Sequence, residues 1–299
     1  MKTKVEYDGK AKVMYNPKTG LKVRMAVDGF DYVKSETPEL VDIKITNYCG
    51  YGCKNCYQSS TEEGQHAEYP EIVAWLETLA HLKCFEIAIG GGEPATHPQF
   101  VNILKKSTDL GITPNFTTFG TDWLMNDDIV QAVKQNVGGI GVSVYSKQSV
   151  QKYWTIKEAL KDSHVQVMVQ HVAGMFPFKT TYDLVQEVDH ILLLGYKSVG
   201  FGVNKIPTKF TDDQVKQIFA LKDKRISVDT AFLDTYGHVL DEIGISKLLR
   251  SSPEGKFSCY IDAVEKRVGP SSYVPPEEMV YMPYDGQTLL KFVELYRGF

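Results

Sequence analysis

With 299 residues, 43% of them apolar and 23% charged, the chain carries ample material for a core and no compositional mark of disorder or a disulfide scaffold. Thirty-three basic against 37 acidic residues give a net charge of −4, which argues against broad, nonspecific phosphate binding but leaves room for a local basic groove that handles one nucleotide. No segment reaches transmembrane length and the N-terminus has no apolar run suited to a signal peptide, so a cytoplasmic protein without a membrane partner is expected.

Residues 1–36 read as one or two β-hairpins. KVEYDGKAKVMY and LKVRMAV alternate polar and apolar positions, with Asn16-Pro17-Lys18-Thr19-Gly20 as the turn. From Leu40 the pattern becomes strand, helix, strand, helix. Val41, Ile43 and Ile45 alternate, and Tyr69, Ile72, Val73, Leu76 and Leu79 follow at helical spacing with Pro70 in the first turn. Four more strands are expected at Phe85–Ile89, Ile112–Thr118, Ile140–Val144 and Val165–Val172, each followed by a helix. The helix after the last of these runs through Leu184, Val188, Ile191 and Leu192. A sixth strand is placed at Val199–Val203, before a helix whose start carries the Thr211/Gln214 capping box. Six such units imply a parallel sheet with right-handed crossovers, an α/β partial (β/α)6 TIM-like barrel over residues 37–235 whose site lies at the C-terminal strand ends. Polar residues there are candidate ligand contacts: Thr117 and Thr118, Ser143 and Tyr145, Gln170 and His171, Asn204 and Lys205.

Two loops at such strand ends carry chemistry. After the first strand, DIKITNYCGYGCKNCY holds three of the five cysteines, Cys49, Cys53 and Cys56. That usage belongs to a reducing compartment where thiolates serve metals. A glycine-containing loop lets three sulfurs converge on an iron–sulfur cluster, and three sulfurs leave one iron of a four-iron cube open. A structural zinc would need a fourth ligand, for which His66 is the candidate. After the second strand, Ile87-Ala88-Ile89 leads into Gly90-Gly91-Gly92-Glu93-Pro94.

CxxxCxxC after the first strand and GGEP after the second resemble the radical S-adenosylmethionine (SAM) superfamily. The resemblance implies a [4Fe-4S] cluster on Cys49, Cys53 and Cys56, with SAM chelating the open iron through its amino and carboxylate groups. Reductive cleavage would give methionine and a 5′-deoxyadenosyl radical that abstracts hydrogen from a substrate. It further implies that Gly90, Gly91 and Gly92 admit the methionine end, that Glu93 pairs with its ammonium, and that Ser143 contacts the ribose. Thr118-Phe119-Gly120 is similar to the family's TNG, with Phe119 departing from the pattern, and Asn55 with Tyr57 stands where an adenine contact is expected. A reductant such as a flavodoxin or ferredoxin is the implied partner.

Residues 236–299 are expected to form a small α+β extension: a helix over 236–252, a hairpin in FSCYIDAVEKRVGPSSYVPP, and a closing helix through Leu289, Phe292, Val293 and Tyr296. The hairpin phrase is similar to the SPASM or twitch extension of peptide-modifying radical enzymes, but Cys259 stands alone and Ser271-Ser272 occupy the place of a further cysteine. One cysteine cannot hold an auxiliary cluster. The substrate classes left open are an amino-acid derivative or modified nucleobase undergoing redox-neutral isomerisation or rearrangement, or a peptide undergoing modification. A non-catalytic iron–sulfur electron carrier or regulator and a zinc-stabilised binding module are the alternatives from other classes.

Overall fold

The computed structural model describes residues 3–9, 11–26, 32–203, 206–245 and 253–299. The chain opens with an antiparallel three-stranded sheet, β1 (Lys4–Asp8), β2 (Ala11–Tyr15) and β3 (Lys22–Ala26). Its second turn is the expected one: the Asn16 side chain accepts from Lys18 N at 3.0 Å and Gly20 takes φ +70°. One face, Ala11, Val13 and Tyr15, is buried, with Tyr15 against Phe85. Tyr15 Oη donates to Glu86 and Lys22 pairs with the same carboxylate at 2.7 Å. Phe85 and Glu86 begin a barrel strand, so this sheet caps the end of the barrel opposite the two motif loops.

The main sheet has ten strands in the order β10-β9-β8-β7-β6-β5-β4-β11-β12-β13. Strands β4 (Leu40–Thr46), β5 (Glu86–Gly91), β6 (Thr113–Thr118), β7 (Gly139–Ser143), β8 (Gln166–Val172), β9 (His190–Leu194) and β10 (Arg225–Val228) are parallel. Between them run α1 (Tyr69–His81), α2 (Phe100–Asp109), α3 (Asp127–Asn136), α4 (Gln151–Ala159), α5 (Phe178–Glu187) and α6 (Asp212–Phe219). The outward strand residues, Val41, Ile43, Ile45, Ile87, Ile89, Val142 and Val169, are sealed beneath the helices at no more than 1% exposure. Each such side chain contributes about 1.5–3 kcal/mol of apolar burial.

The sixth unit differs from expectation. Ile191 and Leu192 lie in β9 and not in a helix, because α5 ends at Glu187 and the run His190–Leu194 pairs with both β8 and β10. Val199–Val203 is no strand. Its glycines make a turn at Gly200–Gly202, with Gly200 at φ +57°. Asn204, Lys205 and Leu248 lie outside the described residues.

The C-terminal part begins with α7 (Thr230–Glu242), which starts earlier than the spacing suggests, because Asp229 caps it by accepting from Phe232 N at 2.8 Å. Strand β11 (Ser258–Asp262) then adds parallel to the free edge of β4, and β12 (Arg267–Gly269) and β13 (Val280–Tyr281) follow antiparallel. The buried pair Lys44–Asp262, 3.0 Å apart, joins register-matched residues of β4 and β11. Helix α8 (Thr288–Gly298) closes the chain, setting Phe292 against Trp75 of α1. Among the described residues no helix is long and apolar enough to cross a membrane.

Candidate active site

The cysteine loop leaves β4 and folds back on itself. Asn47 N bonds to Gln65 O at 2.7 Å and Cys49 N to Thr61 O at 2.8 Å, while Thr46 pairs with His66 as an isolated bridge. Cys56 N reaches Cys53 O at 3.1 Å, a turn that follows Gly52 at φ +59°. All three thiols are free and half-buried, close enough to feel one another electrostatically. Burial pushes Cys49 and Cys53 upward, a bias that ligation to iron overrides. Cys49 and Cys53 border a cleft of about 320 Å³ with Lys54, Ser60, Glu62 and Phe201.

Three buried polar atoms on this stretch, Asn47 Oδ1, Asn55 Oδ1 and Ser60 Oγ, have no hydrogen-bond partner. Buried polar groups are normally satisfied, so the loop carries donor and acceptor capacity directed at something other than protein. Among the described residues no three His, Cys, Asp or Glu side chains converge as they would on a single ion. A cluster asks for less convergence, since each thiolate binds a different iron. The donor set therefore fits a cluster. His66, the candidate zinc ligand, bonds Thr46 Oγ1 through Nδ1 at 2.8 Å and packs on His97.

The glycine loop is sewn to the cysteine loop. Gly92 N donates to Thr46 O at 2.8 Å and Glu93 N to Tyr48 O at 2.9 Å. A Cβ on Gly91 would sit 2.2 Å from Thr46 O and one on Gly92 1.9 Å from Tyr48 O, so both positions need glycine for close approach. A Cβ on Gly90 would meet nothing within 4 Å. Gly90 borders open space at the strand end.

Glu93 is 4% exposed and fixed from both sides: Thr118 Oγ1 donates to Oε1 and Phe119 N to Oε2, each at 2.9 Å. Burial pushes its carboxyl upward, and these bonds oppose the shift. Lys152, at the start of α4, donates to Phe119 O at 2.7 Å with its ammonium 3.5 Å from the Phe119 ring centre. Burial lowers the ammonium, while Cys53 and Glu93 hold it up, so Lys152 stands between the two motif loops. Nothing in the sequence marks it, because a lysine in a helix's first turn carries no signal of its own.

Ser143 ends β7, half-buried, beside Tyr145, whose hydroxyl it supports. Tyr51, Phe119, Tyr145 and Phe176 form a run of ring contacts 4.8–5.9 Å apart across the mouth. Tyr57 lies under Lys197, 4.7 Å from its ring centre, and the turn at 199–203 docks on the same loop through Phe201 N to Cys56 O at 2.9 Å. Thr117 donates to Gln170 at 3.3 Å. His171 is not brought to this site. Its ring nitrogens meet Val144 O and Thr181 Oγ1 at 2.7 and 2.9 Å in full burial. Cys259 is buried in β11, 2% exposed, away from the loop thiols.

Residues 43–162, which hold both motif loops and Lys152, match the Radical SAM superfamily. The chain carries a radical SAM domain over these residues. As a radical SAM enzyme it uses the family's cofactors, a [4Fe-4S] cluster and SAM. A comparison with curated proteins gives no match in sequence. Among solved structures it is similar to Streptococcus suis SuiB bound to precursor peptide SuiA, with 11% identity and a TM-score of 0.65 over 90% of this chain and 82% of that one. It is also similar to anSMEcpe with bound AdoMet (13% identity, TM-score 0.58, covering 84% and 80%). A third is HydG, a maturase of the [FeFe]-hydrogenase (14%, 0.53, covering 87% and 64%). At these identities the likeness is one of fold.

Proposed function

We propose that this radical SAM enzyme abstracts hydrogen from a peptide or amino-acid-derived substrate in a transformation without net oxidation. The observation that carries this reading is the C-terminal extension. It supplies β11–β13 and closes the barrel edge, yet its one cysteine is buried in a strand, so it offers no second cluster to take up an electron. The likeness to SuiB, seen with a precursor peptide, extends over 90% of the chain and supports a peptide or a close relative of one over a nucleobase.

When bound, a reduced cluster and SAM supply a carbon radical able to take hydrogen from an unactivated C–H bond. The chain's own residues hold and orient. Cys49, Cys53 and Cys56 would hold the cluster as thiolates. Gly90 gives the methionine end room, Gly91 and Gly92 keep the two loops in contact, and Glu93, fixed by Thr118 and Phe119 N, receives the ammonium in a charge-assisted contact. Lys152 suits the methionine carboxylate. Ser143 would contact the ribose, and Asn55, with its unpartnered Oδ1, would accept from the adenine amine beside Tyr57. In this proposal residues 37–235 form the catalytic barrel, 1–36 its cap and 236–299 a cluster-free extension, with a flavodoxin or ferredoxin as electron donor.

The test is anaerobic. Reconstituted, reduced protein given SAM yields 5′-deoxyadenosine by mass spectrometry, and Cys53→Ala yields none. Equal yield from the variant overturns the cluster assignment. A product two mass units lighter than substrate overturns the redox-neutral assignment.

A further inference from the structure

The inner wall of the barrel is only partly packed. In β5, in β9 and at the start of β4 burial alternates: Val41, Ile87 and Ile191 are sealed, whereas Asp42, Ala88 and Leu192 keep accessible surface; further along β4, Lys44 and Thr46 are buried. A parallel sheet covered on both faces would be buried at every position. These strands enclose a hollow.

Asp42 lies on that hollow, since it shares the strand face of Ala88, its register partner in β5, and is itself only half-buried. The other two carboxylates there are engaged. Asp229 accepts from Gly195 N and Phe232 N at 2.8 Å, and Glu254 accepts from Thr230 and Ser258. Asp42 accepts no hydrogen bond among the described residues. The one cation that the three carboxylates share is Lys197, whose ammonium lies over the rings of Tyr57 and Tyr273 and 3.4 Å from Ser272 Oγ. Tyr57 directly follows Cys56, so the hollow opens beneath the cysteine loop. Three carboxylates against one ammonium leave room for a positive charge, and a lumenal carboxylate without donors is costly until a ligand supplies them.

We propose that Asp42 is a specificity-determining residue that receives the ammonium or guanidinium group of a cationic substrate. The proposal rests on the functional reading above for what then happens to that substrate. Burial, reinforced by Glu254, Asp229 and Glu86 and opposed by Lys197, pushes the Asp42 carboxyl up to about 7. Tyr260, its register partner in β11, faces it, and burial holds that hydroxyl protonated; Cys259, on the opposite face of β11, is likewise held protonated by burial. A carboxyl with a raised value is ionised only above it. Preference for a cation therefore strengthens as pH rises through about 7 and fades below, while a lysine or arginine ligand stays charged throughout.

The experiment measures binding to cluster-loaded protein with SAM by ligand-observed NMR. The probes are Nα-acetyl-lysine methylamide, its arginine counterpart and the neutral norleucine isostere. At pH 8 one cationic probe binds about ten-fold more tightly than norleucine, and Asp42→Asn removes most of that preference. Lysine against arginine tells ammonium from guanidinium. Norleucine binding as well as both cations overturns the proposal, as does a preference that survives in a folded Asp42→Asn protein. Should that variant not fold, wild-type protein decides: a preference unchanged between pH 8 and pH 6 overturns the assignment. Failure to form 5′-deoxyadenosine would sink the functional reading alone, because the probes report on binding.

Discussion

Lys44→Met tests how the C-terminal extension is fastened to the barrel. The Lys44 ammonium and Asp262 carboxylate are 3.0 Å apart with side chains 7% and 8% exposed, so neither is rescued by water when its partner goes. Breaking a buried pair from one side costs about 3–5 kcal/mol. Lys44→Met falls at the low end, about 3 kcal/mol, because Asp262 still accepts from Val264 N and Glu265 N at 3.1 and 2.9 Å. Asp262→Asn keeps an acceptor for that turn but strands the ammonium, and costs about 4 kcal/mol. The double variant is less destabilised than the sum by about 2 kcal/mol or more. Urea unfolding of cluster-free protein, followed by circular dichroism, reads this as a midpoint drop of about 1 M for Lys44→Met, given an m-value of about 3 kcal/mol/M. A Lys44→Met midpoint within error of wild type, or strict additivity in the double variant, refutes the reasoning.

Gly92→Ala forces the Tyr48 carbonyl away from a Cβ 1.9 Å distant and costs about 1–3 kcal/mol in the thermal midpoint, whereas Gly90→Ala stays within about 0.5 kcal/mol of wild type. Because Gly90 borders the open space, Gly90→Ala instead weakens SAM binding by calorimetry, and unchanged affinity would remove the methionine end from that space. In cluster-free protein at pH 8, iodoacetamide modifies Cys49, Cys53 and Cys56 about ten-fold faster than Cys84 and Cys259. Burial seals the last two at 3% and 2% exposure and pushes Cys84 up to about 12. Comparable labelling of all five by peptide mass spectrometry would contradict the buried placements.

The strands from β4 to β8 were legible because each shows period-two apolar residues followed by a helical stripe, and both motif loops lie where that pattern put them. Strand β9 was not. His190–Leu194 is a short apolar run beside the helical spacing of Leu184 and Val188, and periodicity cannot divide such a stretch. Val199–Val203 alternates like a strand but is bent by its glycines around the cysteine loop. In β10, four residues with Arg225 and Ser227 exposed leave too little pattern to read. The lumenal residues were hidden for another reason: Asp42 and Lys44 alternate with buried Val41 and Ile43 as solvent-facing residues would, and only barrel closure shows that the polar face looks inward.

The pairing of β4 with β11 also shapes how the chain comes off the ribosome. The strand that ends in the cysteine loop finds its second neighbour only when Ser258–Asp262 has been made, about two hundred residues after Leu40. Until then one edge of β4 is an open template for another chain, and closing it pays the loop entropy of nearly the whole barrel. The N-terminal sheet, by contrast, completes itself within the first 26 residues. Nascent protein thus carries an open strand edge that runs up to the future cluster site, and truncations that remove β11 are expected to aggregate.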